Sequence, residues 1–191
     1  MAQGMYHYLR QAWRKPSKEL LRSRLIDWRK SKSEIVVDKP LRLDKARALG
    51  YKAKKGFVVV RVRVVRGGRK RERAGIKGRK STRTTNRKTL KMSYQWVAEI
   101  RAARKYKNLE VLNSYWIGKD GRHYYFEIIM VDPARPEIAN DPVLKWISSD
   151  KNRKRAERGL TSAAKKSRGL RRKGHDLKVR PSLRAWHRMG K

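Results

Sequence analysis

The chain has 191 residues, with 54 lysines and arginines against 16 aspartates and glutamates, a formal charge of +38 and no cysteine. Self-repulsion on that scale weakens an isolated compact chain, so the composition demands a polyanionic partner, either nucleic acid or an anionic membrane. The lack of cysteine excludes disulfides, thiol nucleophiles and cysteine-ligated zinc. No apolar run approaches the roughly 18 residues that suggest a spanning helix. The start, MAQGMYHYLRQAWRK, lacks the apolar core of a secretory signal and a myristoylation-type Met-Gly. A cytoplasmic protein with no membrane partner is the expectation.

Residues 17–30, SKELLRSRLIDWRK, follow Pro16 with Ser17 as an N-cap and repeat Leu21, Leu25 and Trp28 at helical spacing, which predicts an amphipathic helix. LDKARALGY predicts a second, short helix, capped by Asp44 and ended by a left-handed Gly50. GFVVVRVRVVRGG is rich in β-branched residues and predicts a strand, with Val58, Val60, Val62 and Val64 on a core face and Arg61 and Arg63 on a basic one. SYQWVAEIRAARKYK predicts a helix over 93–107, capped by Ser93, with Trp96, Val97, Ile100 and Ala103 as its apolar stripe.

VLNSYWIGKDGRHYYFEIIMV reads as a hairpin closed by GKDG, whose Gly and Asp supply positive backbone angles. Pro133 and Pro136 stop the second strand, because proline donates nothing to a ladder. NDPVLKWI predicts a further helix with Asp141 as cap and Pro142 in its first position. The whole predicts an α+β fold: a small mixed or antiparallel sheet packed with helices on one side, in one domain spanning 1–191.

Two segments differ from that body in kind. Residues 66–91 carry +11 and residues 151–191 carry +14, so +25 of the +38 falls on 67 residues. Both have too few apolar groups to offset the entropy of ordering and are expected to order only on a phosphate surface. Within the second, Thr161 caps a short helix through SAAKKSRG that Gly169 ends.

Arginine binds phosphate as a planar fork, lysine neutralises it as a point charge, and glycine lets the backbone pass close. The candidate RNA ligands before and within the internal segment are therefore Arg61, Arg63, Arg66, Arg69, Lys70, Arg71 and Arg73. Lys77, Arg79, Lys80, Arg83, Arg87, Lys88 and Lys91 continue them. In the C-terminal segment they are Arg158, Lys165, Lys166, Arg168, Arg171, Arg172 and Lys173, then His175, Arg180, Arg184 and Trp186. Ser81, Thr82, Thr84, Thr85 and Asn86 add neutral bonds to phosphate, sugar and the 2′-hydroxyl that marks RNA. Trp13 and Trp186 lie in basic surroundings and are the stacking candidates. A major-groove reader of DNA presents one regular helix or ribbon, and neither basic segment has a long helical pattern, which favours structured RNA.

Catalysis has little support. His7, His123, His175 and His187 are scattered, no phosphate-binding Gly-x-x-x-x-Gly-Lys-Ser/Thr run exists, and no nucleophile sits beside a base in sequence. The reading is a non-enzyme with no cofactor, no metal and no small-molecule substrate. A nucleoid protein on duplex DNA and an RNA-modifying enzyme with its site in the body are the rivals.

RLDKARALGYKAKKGFVVVRVRV followed by RGGRKR, then NSYWIGKDGRHYYFEIIMVDP, KWI and RGLTSAAKKSRGLRRKGH, resembles the fifteen-e family of large-subunit ribosomal proteins of archaea and eukaryotes, end to end. The length and the short ending after RAWHRMGK look archaeal. The resemblance implies a structural ribonucleoprotein component used in translation and ribosome assembly. Its partners would be large-subunit ribosomal RNA and neighbouring large-subunit proteins, with an α/β body and RNA-embedded extensions. By position it implies RNA contact from RGGRKR (66–71) and TSAAKKSRGLRRKGH (161–175).

Overall fold

A computed structural model of the chain describes residues 3–68, 90 and 92–171. Six α-helices and four strands are formed among them: α1 Met5–Arg14, α2 Lys18–Lys30, β1 Glu34–Val37, α3 Leu43–Ala48, β2 Phe57–Val65, α4 Tyr94–Lys105, β3 Glu110–Lys119, β4 His123–Val131, α5 Pro136–Ala139 and α6 Ser162–Ser167. Two short 3₁₀ helices, Lys145–Ser148 and Asp150–Asn152, lie between α5 and α6. The sheet is antiparallel throughout, in the order β1-β2-β4-β3.

Three caps act as their sequence predicts. The side-chain oxygens of Ser17, Ser93 and Thr161 accept the backbone N–H groups of Leu20, Trp96 and Ala164, each at 3.3 Å, which satisfies donors that the first turn of a helix leaves without partners. Gly50 and Gly169 end α3 and α6 at φ +98° and +71°, the left-handed region that costs glycine nothing.

Strand β4 explains why the sheet is buried on both faces. Its run HYYFEIIMV is nearly continuous in apolar residues, the pattern of a strand with no wet side. Tyr125, Ile129 and Val131 pack with Trp28, Leu112, Tyr115, Ile117, Ile138, Leu144 and Ile147. Phe126, Ile128 and Met130 turn the other way, against Val60, Val62, Val64 and the α4 residues Ala98 and Ala102. The expectation of helices on one side is thereby corrected. Trp28 of α2 caps one core while α4 covers the other, because β4 presents apolar side chains to both.

Five further expectations change. Asp44 lies inside the first turn of α3 and not at its cap, buried beside Arg42 at 3.7 Å. Gly121 does not adopt positive φ in the hairpin turn. Instead Asp120 Oδ1 accepts the N–H groups of Arg122 and His123 at 2.7 and 2.6 Å and folds the turn around its own side chain. Gly118 serves close packing, since a Cβ there would sit 2.9 Å from Cζ3 of Trp28. Asp141 Oδ1 accepts the N–H of Val143 at 2.8 Å and caps a turn leading to a 3₁₀ helix, where an α-helix was expected. The charge boundary at 151 is not a structural one: Ala156, Thr161, Ala163 and Ala164 are buried, and the chain packs on the body as far as α6.

Candidate nucleic-acid interface

Charge is sorted by burial before any ligand is considered. Among the described residues five acids, Asp44, Glu99, Glu110, Glu127 and Asp141, are buried, against a single base, Arg168. The accessible surface is therefore more positive than the composition alone states.

Four of the buried acids are held by hydrogen-bond donors, whereas Asp44 has only Arg42 near it, at 3.7 Å. Glu127 accepts the Tyr115 hydroxyl and the Leu41 N–H. Burial raises its pKa above the ordinary glutamate value, opposed by those bonds and by the Arg61 charge. Glu99 accepts the hydroxyls of Ser114 and Thr161, and burial again raises its pKa against those bonds and the Arg155 charge. Asp141 lies the other way: bonds from Lys54 Nζ at 2.7 Å and Lys52 Nζ at 2.9 Å, with the Val143 N–H, hold it below the usual carboxylate range.

The basic segments leave the body close together. Gly67 bonds the Tyr94 hydroxyl through both its N–H and its carbonyl, at 2.8 Å each, which ties the start of the internal segment to the first residue of α4. The end of that segment returns at Ser93, whose N–H donates to Ser167 Oγ at 3.1 Å, on the last residue of α6. The C-terminal segment continues from α6 after Arg171. Gly67, Ser93 and Ser167, described residues near the ends of the internal segment and at the end of α6, thus meet around the N-terminus of α4.

The structure divides the candidate ligands. Arg66, Arg158, Lys165, Lys166 and Arg171 are exposed. Arg61 is half-buried, its guanidinium 5.6 Å over the Trp28 ring and its pKa lowered by burial against the opposing charge of Glu127. Arg63 donates to the Arg29 carbonyl at 2.6 Å. The face of β2 that reads as basic thus meets the C-terminal end of α2 at Arg61 and Arg63. Arg168 is buried, donates to the Gly159 carbonyl at 3.0 Å, and braces the turn before α6. Arg69, Lys70, Arg71, Arg73, Lys77, Arg79, Lys80, Arg83, Arg87, Lys88 and Lys91 lie outside the described residues, as do Arg172, Lys173, His175, Arg180, Arg184 and Trp186. Trp13 is half-buried, with the guanidiniums of Arg24 and Arg42 5.3 and 5.1 Å from its ring.

Sequence reasoning missed a second group, at the hairpin tip. Arg29, Arg63, Asp120, Gly121, Arg122 and His123 line a cleft of about 450 Å³. The signal was present in WRK at the end of α2 and GRH after the turn, but 91 residues separate Arg29 from Asp120, which it meets at 3.0 Å. No group of three or more His, Cys, Asp or Glu arranged to hold a metal ion occurs among the described residues, and no helix there is long and apolar enough to cross a membrane.

The chain matches the Ribosomal L15 family over residues 4–186. It belongs to that family. It is 52% identical to the large ribosomal subunit protein eL15 of Methanocella arvoryzae, over 100% of both chains. It is 53% identical to the protein of the same name from Methanospirillum hungatei, over 97% of both. Membership accounts for the match between the motifs quoted above and this body, including the RGGRKR run that begins beside Tyr94.

Proposed function

We propose that this chain is a structural, non-enzymatic constituent of the large ribosomal subunit, where its body and two basic segments bind folded ribosomal RNA and contact neighbouring ribosomal proteins. The observation that carries this reading is the segregation of charge: five acids inside, one arginine inside, and every other described lysine and arginine exposed or partly so. Such a body repels itself in isolation and is neutralised against a dense array of phosphates. Compact RNA supplies that array from several directions at once, which suits segments that leave the body around the N-terminus of α4. Counterion release then makes affinity steeply dependent on salt, while specificity comes from RNA shape and from unpaired bases.

Sedimentation of cell extract in low and high salt tests it. The expected result is co-migration with the large subunit that survives salt high enough to strip loosely held factors. Release at modest salt, or migration with DNA, would overturn it.

A further inference from the structure

We propose that the cleft at the tip of the β3–β4 hairpin seats one backbone phosphate of ribosomal RNA, with the Arg122 guanidinium as its principal ligand. This rests on the RNA-binding reading above and assigns it a site within the folded body, apart from the basic segments. Three arginines, Arg29, Arg63 and Arg122, line the cleft with a single acid, Asp120. That acid is already committed. Its Oδ1 takes the N–H groups of Arg122 and His123, and its Oδ2 takes Arg29 Nε and the Tyr125 hydroxyl, both at 3.0 Å. Burial raises the Asp120 pKa, but the bond from Arg29, the two backbone N–H groups and the Tyr125 hydroxyl outweigh it and hold the carboxyl below the usual carboxylate range. Asp120 is thus charged and fully occupied in organising the turn, and two positive charges of the lining remain uncompensated.

Two of the three arginines are fixed in place. Arg29 is anchored through Nε on Asp120, and Arg63 through Nη1 on the Arg29 carbonyl. Beside them Arg66 donates to the Asp120 carbonyl at 2.8 Å and lies 5.0 Å over the Tyr124 ring. Arginines held by backbone carbonyls lose less rotamer freedom when an anion arrives. Arg122 is exposed, and no acceptor for its side chain is found among the described residues. A diester phosphate, with one charge and two acceptor oxygens, fits an arginine fork of this kind. The cleft also adjoins Arg66, the first residue of the internal basic segment.

The test uses the full chain and protein-free large-subunit ribosomal RNA, with R122Q and R122K compared with the unsubstituted protein across a range of salt. R122Q is expected to lower the slope of log affinity on log salt by about 0.7 to 0.9, the loss of one phosphate contact. R122K should keep the slope and bind more weakly, because lysine keeps the charge and lacks the fork. Phosphate-ethylation interference should show one RNA phosphate whose modification blocks the unsubstituted protein and not R122Q. A steep slope that R122Q leaves unchanged would overturn the cleft while leaving the RNA-binding reading standing. A slope of only one or two charges for the unsubstituted protein would overturn the reading itself. Inorganic phosphate at matched ionic strength supplies the last arm. If it abolishes the difference between the proteins and no single RNA phosphate is lost from the interference pattern, the cleft holds a free anion and the proposal fails.

Discussion

Replacing Glu99 with alanine should cost the body about 3–5 kcal/mol, by a sum that can be followed atom by atom. The carboxyl is fully buried on α4. Gln95 Nε2 donates to Ser114 Oγ at 2.8 Å, so the Ser114 hydroxyl proton is directed to Glu99. Thr161 Oγ1 likewise accepts the Ala164 N–H and gives its own proton to Glu99. Truncation leaves two buried hydroxyl donors without acceptors, about 1 kcal/mol or more each. It removes the carboxyl whose charge opposes the burial of Arg155, and it opens a cavity that adds about 1–2 kcal/mol. E99Q keeps the volume but its amide nitrogen accepts from neither hydroxyl, so about 1–2 kcal/mol is expected. Urea unfolding followed by tryptophan fluorescence reads both, with a midpoint shift on the order of 2 M for E99A at ordinary m-values. Stability of E99A within about 1 kcal/mol of the unsubstituted protein would refute the network.

The remaining expectations concern packing, pH and charge. G118A should destabilise by about 1–3 kcal/mol, since its Cβ would lie 2.9 Å from Trp28 Cζ3, and a changed Trp28 emission would locate the strain; unchanged stability would show that the indole shifts at no cost. Because Glu99 and Glu127 have raised pKa values in the fold, the unfolded chain releases those protons first, from the ordinary value of 4.5. Their contribution is complete below that pH and is lost as pH rises through the native values. An E99Q/E127Q double variant should therefore show a flatter decline of stability over that range in chemical denaturation. Truncation after Arg171 should leave the thermal midpoint within a few degrees of the full chain, because α6 and its cap are retained, while lowering the salt slope of binding to ribosomal RNA.

What the sequence made legible was local chemistry. Ser17, Ser93 and Thr161 announce their helices because a cap is decided within four residues. Valines at alternate positions of β2 give its core face for the same reason. Strand β1 escapes because EIVV is four residues, too short to show a period. Helix α1 does carry a readable signature, since Tyr6, Leu9 and Trp13 recur at helical spacing on one side and are partly covered while its other residues are exposed; it escapes when that stretch is read only for targeting signals. The reach of the folded body to Arg171 is hidden by charge, since its anchors are alanines and one threonine scattered among lysines and arginines. The hairpin cleft and the covering of Arg61 depend on contacts between α2 and distant strands, which no local pattern encodes.

Interior acids in so basic a chain also have a positional consequence for binding. Glu99 holds Thr161, the cap of α6; Ser167 at the end of α6 bonds Ser93, the cap of α4; and Tyr94 beside that cap fixes Gly67. A connected set of bonds therefore fixes the points from which both charge-dense segments depart. The salt slope of binding counts phosphates neutralised, whereas the affinity at a given salt also contains the cost of ordering the groups that contact them. Weakening this set without removing a base should separate the two. E99Q is expected to keep the slope of the unsubstituted protein and to bind ribosomal RNA several-fold more weakly. Equal affinity would mean that the departure points carry no positional information, and that the basic segments find their phosphates by charge alone.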